Sequence, residues 1–193
     1  MNTTFSRWGW LALLALGCIA PFVLYPTFLM KVLCFALFAS AFNLLLGYAG
    51  LLSFGHAAFF GGAAYVCAAL SKNYGLTPEL AILAGGAFAA VLGLGFGALS
   101  IRRSGIYMTM ITLALAQLVF FLAVQLPFTG GEDGLQGLPR GKLFGLIDLT
   151  DNIAMYFFVF AVFCLGFWLI HRSIHSPFGQ VLKAIRENEP RAI

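Results

Sequence analysis

Apolar residues run along this chain in long blocks separated by turn-forming residues, with little of the alternation that marks a half-buried strand. The blocks cover about 8–25, 28–46, 80–100, 105–126 and 153–171, and a shorter one, Ala57–Leu70, follows the glycine-rich stretch Gly47–Gly55. Crossing a hydrocarbon core of about 30 Å takes about 20 such residues in a helix. Pro26 marks the turn between the first two blocks. An isolated strand cannot satisfy its backbone polar groups in lipid, so each block is predicted to be helical. The pattern predicts an all-α integral membrane protein of about six transmembrane helices, at about 8–25, 28–46, 57–70, 80–100, 105–126 and 153–171. A membrane bundle over 1–171 is then followed by a separate segment over 172–193.

Composition reinforces this picture and removes its rivals. Only 9% of the 193 residues are charged while 61% are hydrophobic, and the mean hydropathy is +0.95. Soluble domains carry about 25% charged residues because their surface faces water. A soluble enzyme, a disordered tail and a nucleic-acid binder are thereby excluded. The net charge of +4 changes nothing, since the basic residues are scattered among apolar runs. Cys18, Cys34, Cys67 and Cys164 lie far apart with no metal-ligand spacing, so neither metal nor disulfide is indicated. Arg7 and the run behind it mimic a signal peptide, but the residues after Cys18 stay apolar, which reads as an uncleaved first span.

The charges that remain set an orientation. With the N-terminus inside, Arg7, Arg102, Arg103, Arg172, Lys183, Arg186 and Arg191 are internal, and Lys31, Lys72, Arg140 and Lys142 external. Both termini are therefore predicted to be cytoplasmic. Small residues recur every four positions in Ala89, Gly93 and Gly97, in Ala57 with Gly61 and in Ala58 with Gly62. Such stripes let helix backbones approach closely in lipid, within the chain or at a subunit interface.

Three segments break the apolar monotony. In Asn43–His56, Gly47, Gly50, Ser53 and Gly55 interrupt the run. A broken helix at membrane depth is tolerated where it is buried in protein or lines a cavity, and such breaks point to transport paths. The alternative is an ordinary turn at the membrane surface. Pro127–Arg140 is a turn-rich external loop whose Glu132 and Asp133 read as solvated acids or as contacts for an external partner. In the C-terminal segment Ser176 suits an N-cap and Pro177 the first helical position. Phe178, Val181, Leu182 and Ile185 share one helical face, with Lys183, Arg186, Glu187 and Asn188 on others. This amphipathic helix either lies on the membrane or enters a groove of a soluble partner. Within the spans Asn43, Thr109, Thr112 and Gln117 lead the few polar residues, and such groups pair between helices or line a path. No carboxylate lies deep in a span, which disfavours a proton- or sodium-coupled carrier.

At these same segments the chain resembles the LivM-type permeases of branched-chain amino-acid ABC transporters. The resemblance is carried by NLLLGYAGLLSFGHAAFF (43–60), GIYMTMITLALAQ (105–117), TGGEDGLQGLPR (129–140) and SPFGQVLKAIRENEPRA (176–192), in family order. It implies a transmembrane permease subunit of an ATP-driven importer in the bacterial inner membrane. The chain would be no enzyme and would hold no cofactor of its own. ATP would be bound and hydrolysed by two partner subunits, in keeping with the absence of a GxxxxGK[ST] phosphate loop. The other implied partners are a LivH-type second permease, a periplasmic amino-acid-binding protein and membrane lipid. Ser176, Pro177, Phe178, Gly179, Val181, Leu182, Ile185, Arg186 and Glu187 would form the coupling helix that docks the ATPase. A substrate path would touch Asn43, Tyr48, Ser53, His56, Thr109, Thr112 and Gln117. Family members continue beyond this helix, so the sequence reads as the N-terminal portion of an importer bundle, cut short at Ile193. The competing readings are a truncated fragment that associates without transporting, and a permease for urea or short amides.

Overall fold

A computed structural model describes residues 14–100, 105–143, 145 and 147–187. The expectations resting on Arg7, Arg102, Arg103 and Arg191, on residues 8–13 of the first span and on 188–193 lie outside these residues. The described chain forms seven α-helices: α1 (Leu14–Val23), α2 (Pro26–Asn43), α3 (His56–Tyr74), α4 (Pro78–Ser100), α5 (Ile106–Gln125), α6 (Asn152–Ile174) and α7 (Pro177–Glu187).

The starts and stops follow from local chemistry. Proline opens α2 at its first turn, where the missing N–H costs nothing. Asp151 caps α6, its carboxylate accepting from Ile153 N at 3.3 Å. Ser176 Oγ accepts from Gly179 N at 3.4 Å at the start of α7. Helix α3 ends on Gly75 in the left-handed region, and Leu76 N reaches back to Leu70 O at 3.4 Å.

Four helical stretches are long and apolar enough to cross a membrane: Pro26–Ala49, Pro78–Ser100, Ile106–Gln125 and Asn152–Ile174. The run at 57–70 extends to the 19 residues of α3, about 29 Å at 1.5 Å per residue. Its length is therefore adequate, while Gly, Ser71, Lys72 and Asn73 dilute its hydropathy. The described part of the first span is the short helix α1.

Packing divides the bundle into two groups, α1, α2 and α6 on one side and α3, α4 and α5 on the other. The first has its core at Met30, Tyr156 and Phe160. Tyr156 is fully buried and donates its hydroxyl to Gly17 O at 2.7 Å, tying α6 to α1. Tyr156→Phe is expected to lower stability by about 1 kcal/mol, the net worth of a single hydrogen bond. Thermal unfolding in detergent reads it; an unchanged midpoint would leave the contact without energetic weight.

In the second group α3 and α4 touch backbone to backbone. A Cβ on Gly85 would stand 2.7 Å from Ala63 O, and Ala69 and Ala81 are fully buried. The small-residue stripe that packs α4 is thus Ala81 and Gly85. Gly93 and Gly97 face open space, whereas Gly62 is covered by Phe88 and Leu92. A phenylalanine seam joins the groups, with Phe35 and Phe38 of α2 at 6.2 and 5.5 Å from Phe60 of α3.

The α5–α6 connection closes one end of the bundle. Thr129, buried, donates to Leu126 O at 2.7 Å and also to Ala123 O, and Lys72 Nζ reaches Gln136 O at 2.8 Å. A minimal antiparallel ladder pairs Lys142 with Asp148 and Leu143 with Ile147. Hydrogen bonds from the hydroxyl and amide of Thr150, aided by Lys142, hold the exposed Asp148 carboxyl below its usual range. Asp133 is exposed there, as a solvated loop acid would be.

A groove between two helices and the broken turn beneath it

Helix α2 does not stop at Asn43. It widens into a π-helical turn, Leu44–Ala49, and ends on Gly50 at φ 69°, a left-handed conformation that glycine adopts without a Cβ penalty. π turns are rare and concentrate at functional sites. Beyond Gly50 the chain returns into the bundle. Phe54 N donates to Thr112 Oγ1 at 3.2 Å, and Thr112 is the seventh residue of α5, about 9 Å along its axis. Gly55 abuts Phe96 of α4, one turn before that helix ends. Ser53, buried, accepts from Gly55 N at 3.2 Å. The connection is therefore anchored to α4 and α5 at Ser53–Gly55, where Ser53 and Gly55 are buried, while Gly50, Leu51, Leu52 and Phe54 remain exposed.

Above it lies a groove of about 350 Å³ between α3 and α5. Phe54 forms its floor, Ala57, Gly61 and Tyr65 one wall, and Leu113, Gln117 and Phe120 the other. Its walls are apolar apart from the Tyr65 hydroxyl and the Gln117 carboxamide, both near mid-helix. This is the usual design of a small-molecule site, apolar area with few placed polar groups.

The residues expected along a path distribute unevenly around this groove. Gln117 lines it. Thr112 and Ser53 hold its floor, Thr112 Oγ1 also donating to Thr109 O at 3.0 Å. Thr109 turns its hydroxyl to its own helix, on Ile106 O at 2.6 Å. Asn43 and Tyr48 belong to the π-turn region, where the Asn43 side chain lies over Gly47. His56 faces the other way, into an aromatic box of Phe42, Phe59 and Phe38 at 5.4, 5.9 and 6.4 Å, and its buried Nδ1 has no hydrogen-bond partner among the described residues. Sequence reasoning missed Gly61, Tyr65 and Phe54. The signal for the first two was present, because Ala57, Gly61 and Tyr65 repeat every four residues on one face of α3.

Helix α7 packs at the π-turn end. Gly179 is buried against the carbonyls of Ser173 and Ile174, an approach that a Cβ would forbid, and this folds α7 back on α6. Phe178, Val181 and Ile185 are 64%, 53% and 41% exposed, so an apolar face stands largely uncovered; Leu182 is half-buried. Pro177 opens the helix and Glu187 is its last described residue. Arg186, although exposed, reaches back to the π turn, its guanidinium donating to Gly47 O.

The model of the family described as "Branched-chain amino acid transport system / permease component" matches residues 24–192. The chain belongs to this permease family. Its relatives include the "High-affinity branched-chain amino acid transport system permease protein LivM" of Escherichia coli (strain K12), 28% identical over 170 residues, covering 76% of this chain and 40% of the relative. The protein of the same name in Salmonella typhimurium (strain LT2) is 27% identical over the same shares. The chain thus spans about two fifths of the length of these curated relatives. No solved structure matches it significantly. A permease-family chain with four helices long and apolar enough to cross a membrane is a multi-pass membrane component of a transporter.

Proposed function

We propose that this chain is a permease subunit of an ATP-driven importer for branched-chain amino acids, and that the α3–α5 groove is part of its substrate path. The observation that carries the reading is the groove itself, with its apolar walls, Tyr65 and Gln117 among its lining and Phe54 of the broken turn at its base. An aliphatic side chain suits those walls, and Gln117 and Tyr65 offer hydrogen bonds to an amino-acid backbone. The lysine and arginine bias supports cytoplasmic termini in a bacterial cell, and in that orientation α7 meets the ATP-binding subunits and the 126–151 connection faces the periplasmic binding protein. A LivH-type permease completes the pore, and nucleotide is bound by the ATPase partners.

The test is leucine uptake by membrane vesicles carrying the intact transporter. Uptake should require both ATP and the binding protein. Leucine uptake that ignores either, or urea taken up in its place, would overturn the assignment. Gln117→Leu is expected to weaken leucine transport about five-fold, the loss of one hydrogen bond worth about 1 kcal/mol, while ATPase co-purification stays unchanged. An unaltered transport constant would remove Gln117 from the path.

A further inference from the structure

The Arg186 side chain makes a contact that an edge residue of a docking helix does not need. Helix ends leave carbonyls without intrahelical partners. At the end of the π turn the amides of Gly50 and Leu51 both return to Leu45 O, and the Gly47 carbonyl, two residues on, accepts from Arg186 Nη1. The stem of the same side chain lies over Gly50, with Cγ 2.8 Å and Cδ 3.3 Å from where a Cβ would stand. One arginine thus grips the π turn at two points, its head on a carbonyl and its stem on the left-handed residue. From Gly50 only Leu51–Ser53 separate this grip from Phe54, which is pinned to Thr112 and floors the groove.

We propose that Arg186 is a positioning residue, a latch that ties α7 to the π turn of α2 and thereby holds the floor of the α3–α5 groove. Displacing α7 pulls on Gly47, whose carbonyl accepts from Arg186, and on Gly50, which the Arg186 stem overlies. Phe54 and Ser53 follow, since only Leu51 and Leu52 lie between Gly50 and Ser53. Where the ATPase docking proposed above holds, this latch carries α7 motion to the groove; the contact itself lies within the chain and does not depend on that docking.

The test places a cysteine at the buried Ser53, by Ser53→Cys, in the transporter with Cys18, Cys34, Cys67 and Cys164 of this sequence replaced, and follows the Ser53→Cys-dependent labelling of this chain by a membrane-impermeant maleimide. With Arg186 present the thiol should react slowly. Arg186→Gln should raise the rate roughly ten-fold or more, in keeping with loss of a hydrogen bond to a charged group. Arg186→Lys, which keeps a cationic donor, should restore most of the protection. Gly50→Ala leaves Arg186 in place but sets a methyl against its stem, and should raise the rate as Arg186→Gln does. Parent-like labelling in Arg186→Gln, or fast labelling already in the parent, would overturn the latch. Co-purification of the ATPase with the parent chain, read in parallel, separates the two proposals: an ATPase that never co-purifies, with Arg186-dependent protection intact, refutes the partner reading and leaves the latch standing.

Discussion

Replacing Gly61 with leucine is expected to cut leucine uptake at least ten-fold while the protein accumulates normally in the membrane. A Cβ added at Gly61 meets nothing within 4 Å, so the new side chain enters the groove without displacing its neighbours. Leucine also exceeds glycine in helix propensity by about 0.8 kcal/mol, so α3 is not weakened. The whole effect then falls on the space that a substrate side chain would use, out of a groove of about 350 Å³. The neighbouring glycine supplies the contrast. A Cβ on Gly62 would lie 3.0 Å from Phe88 and 3.4 Å from Leu92, so Gly62→Leu drives α3 and α4 apart and should lower the amount of folded protein. Uptake per unit of membrane protein distinguishes the two. Normal uptake in Gly61→Leu would show that the groove lies off the path.

The contrast between Gly61 and Gly62 also shows where the sequence was legible. Apolar length and the starts at Pro26 and Ser176-Pro177 depend on residues close in the chain, and these patterns announce helices directly. Stripes of small residues are different, because their period states that something can approach and never what does. Gly62 receives Phe88 and Leu92 of α4 at the edge of the groove, Gly61 opens into the groove with no neighbour within 4 Å of an added Cβ, and Gly93 with Gly97 faces open space. His56 shows the same limit. Its position beside Gly55 suggested a path, yet Phe38 and Phe42 of α2 fix its ring from a distance in sequence. The π turn was visible only as Gly47 and Gly50 within an apolar run, since α and π turns differ in hydrogen-bond register and not in composition. Tyr65 was overlooked because aromatic residues are common here, at 16% of the chain, and one more carries no signal until its helix face is known.

Phe178→Asp combined with Val181→Asp is expected to abolish co-purification of the ATPase subunit. Both side chains are more than half exposed, on a helix whose opposite contacts reach α6 and the π turn. In a docked complex an exposed aromatic of this kind acts as an anchor, and losing an anchor costs about 2 kcal/mol or more, about thirty-fold in affinity. The aspartates go further than truncation, because each carries a charge that must be stripped of water in the interface. Leu182 is deliberately left alone, since it is half-buried within the chain and its loss would loosen α7 itself. Slow labelling of a Ser53→Cys thiol in the same variant serves as the control that Arg186 still holds the π turn. Lys183→Ala removes only a solvated charge and should change binding by less than about 1 kcal/mol. Undiminished co-purification in the double aspartate variant, with α7 still latched, would mean that the ATPase docks elsewhere on the chain.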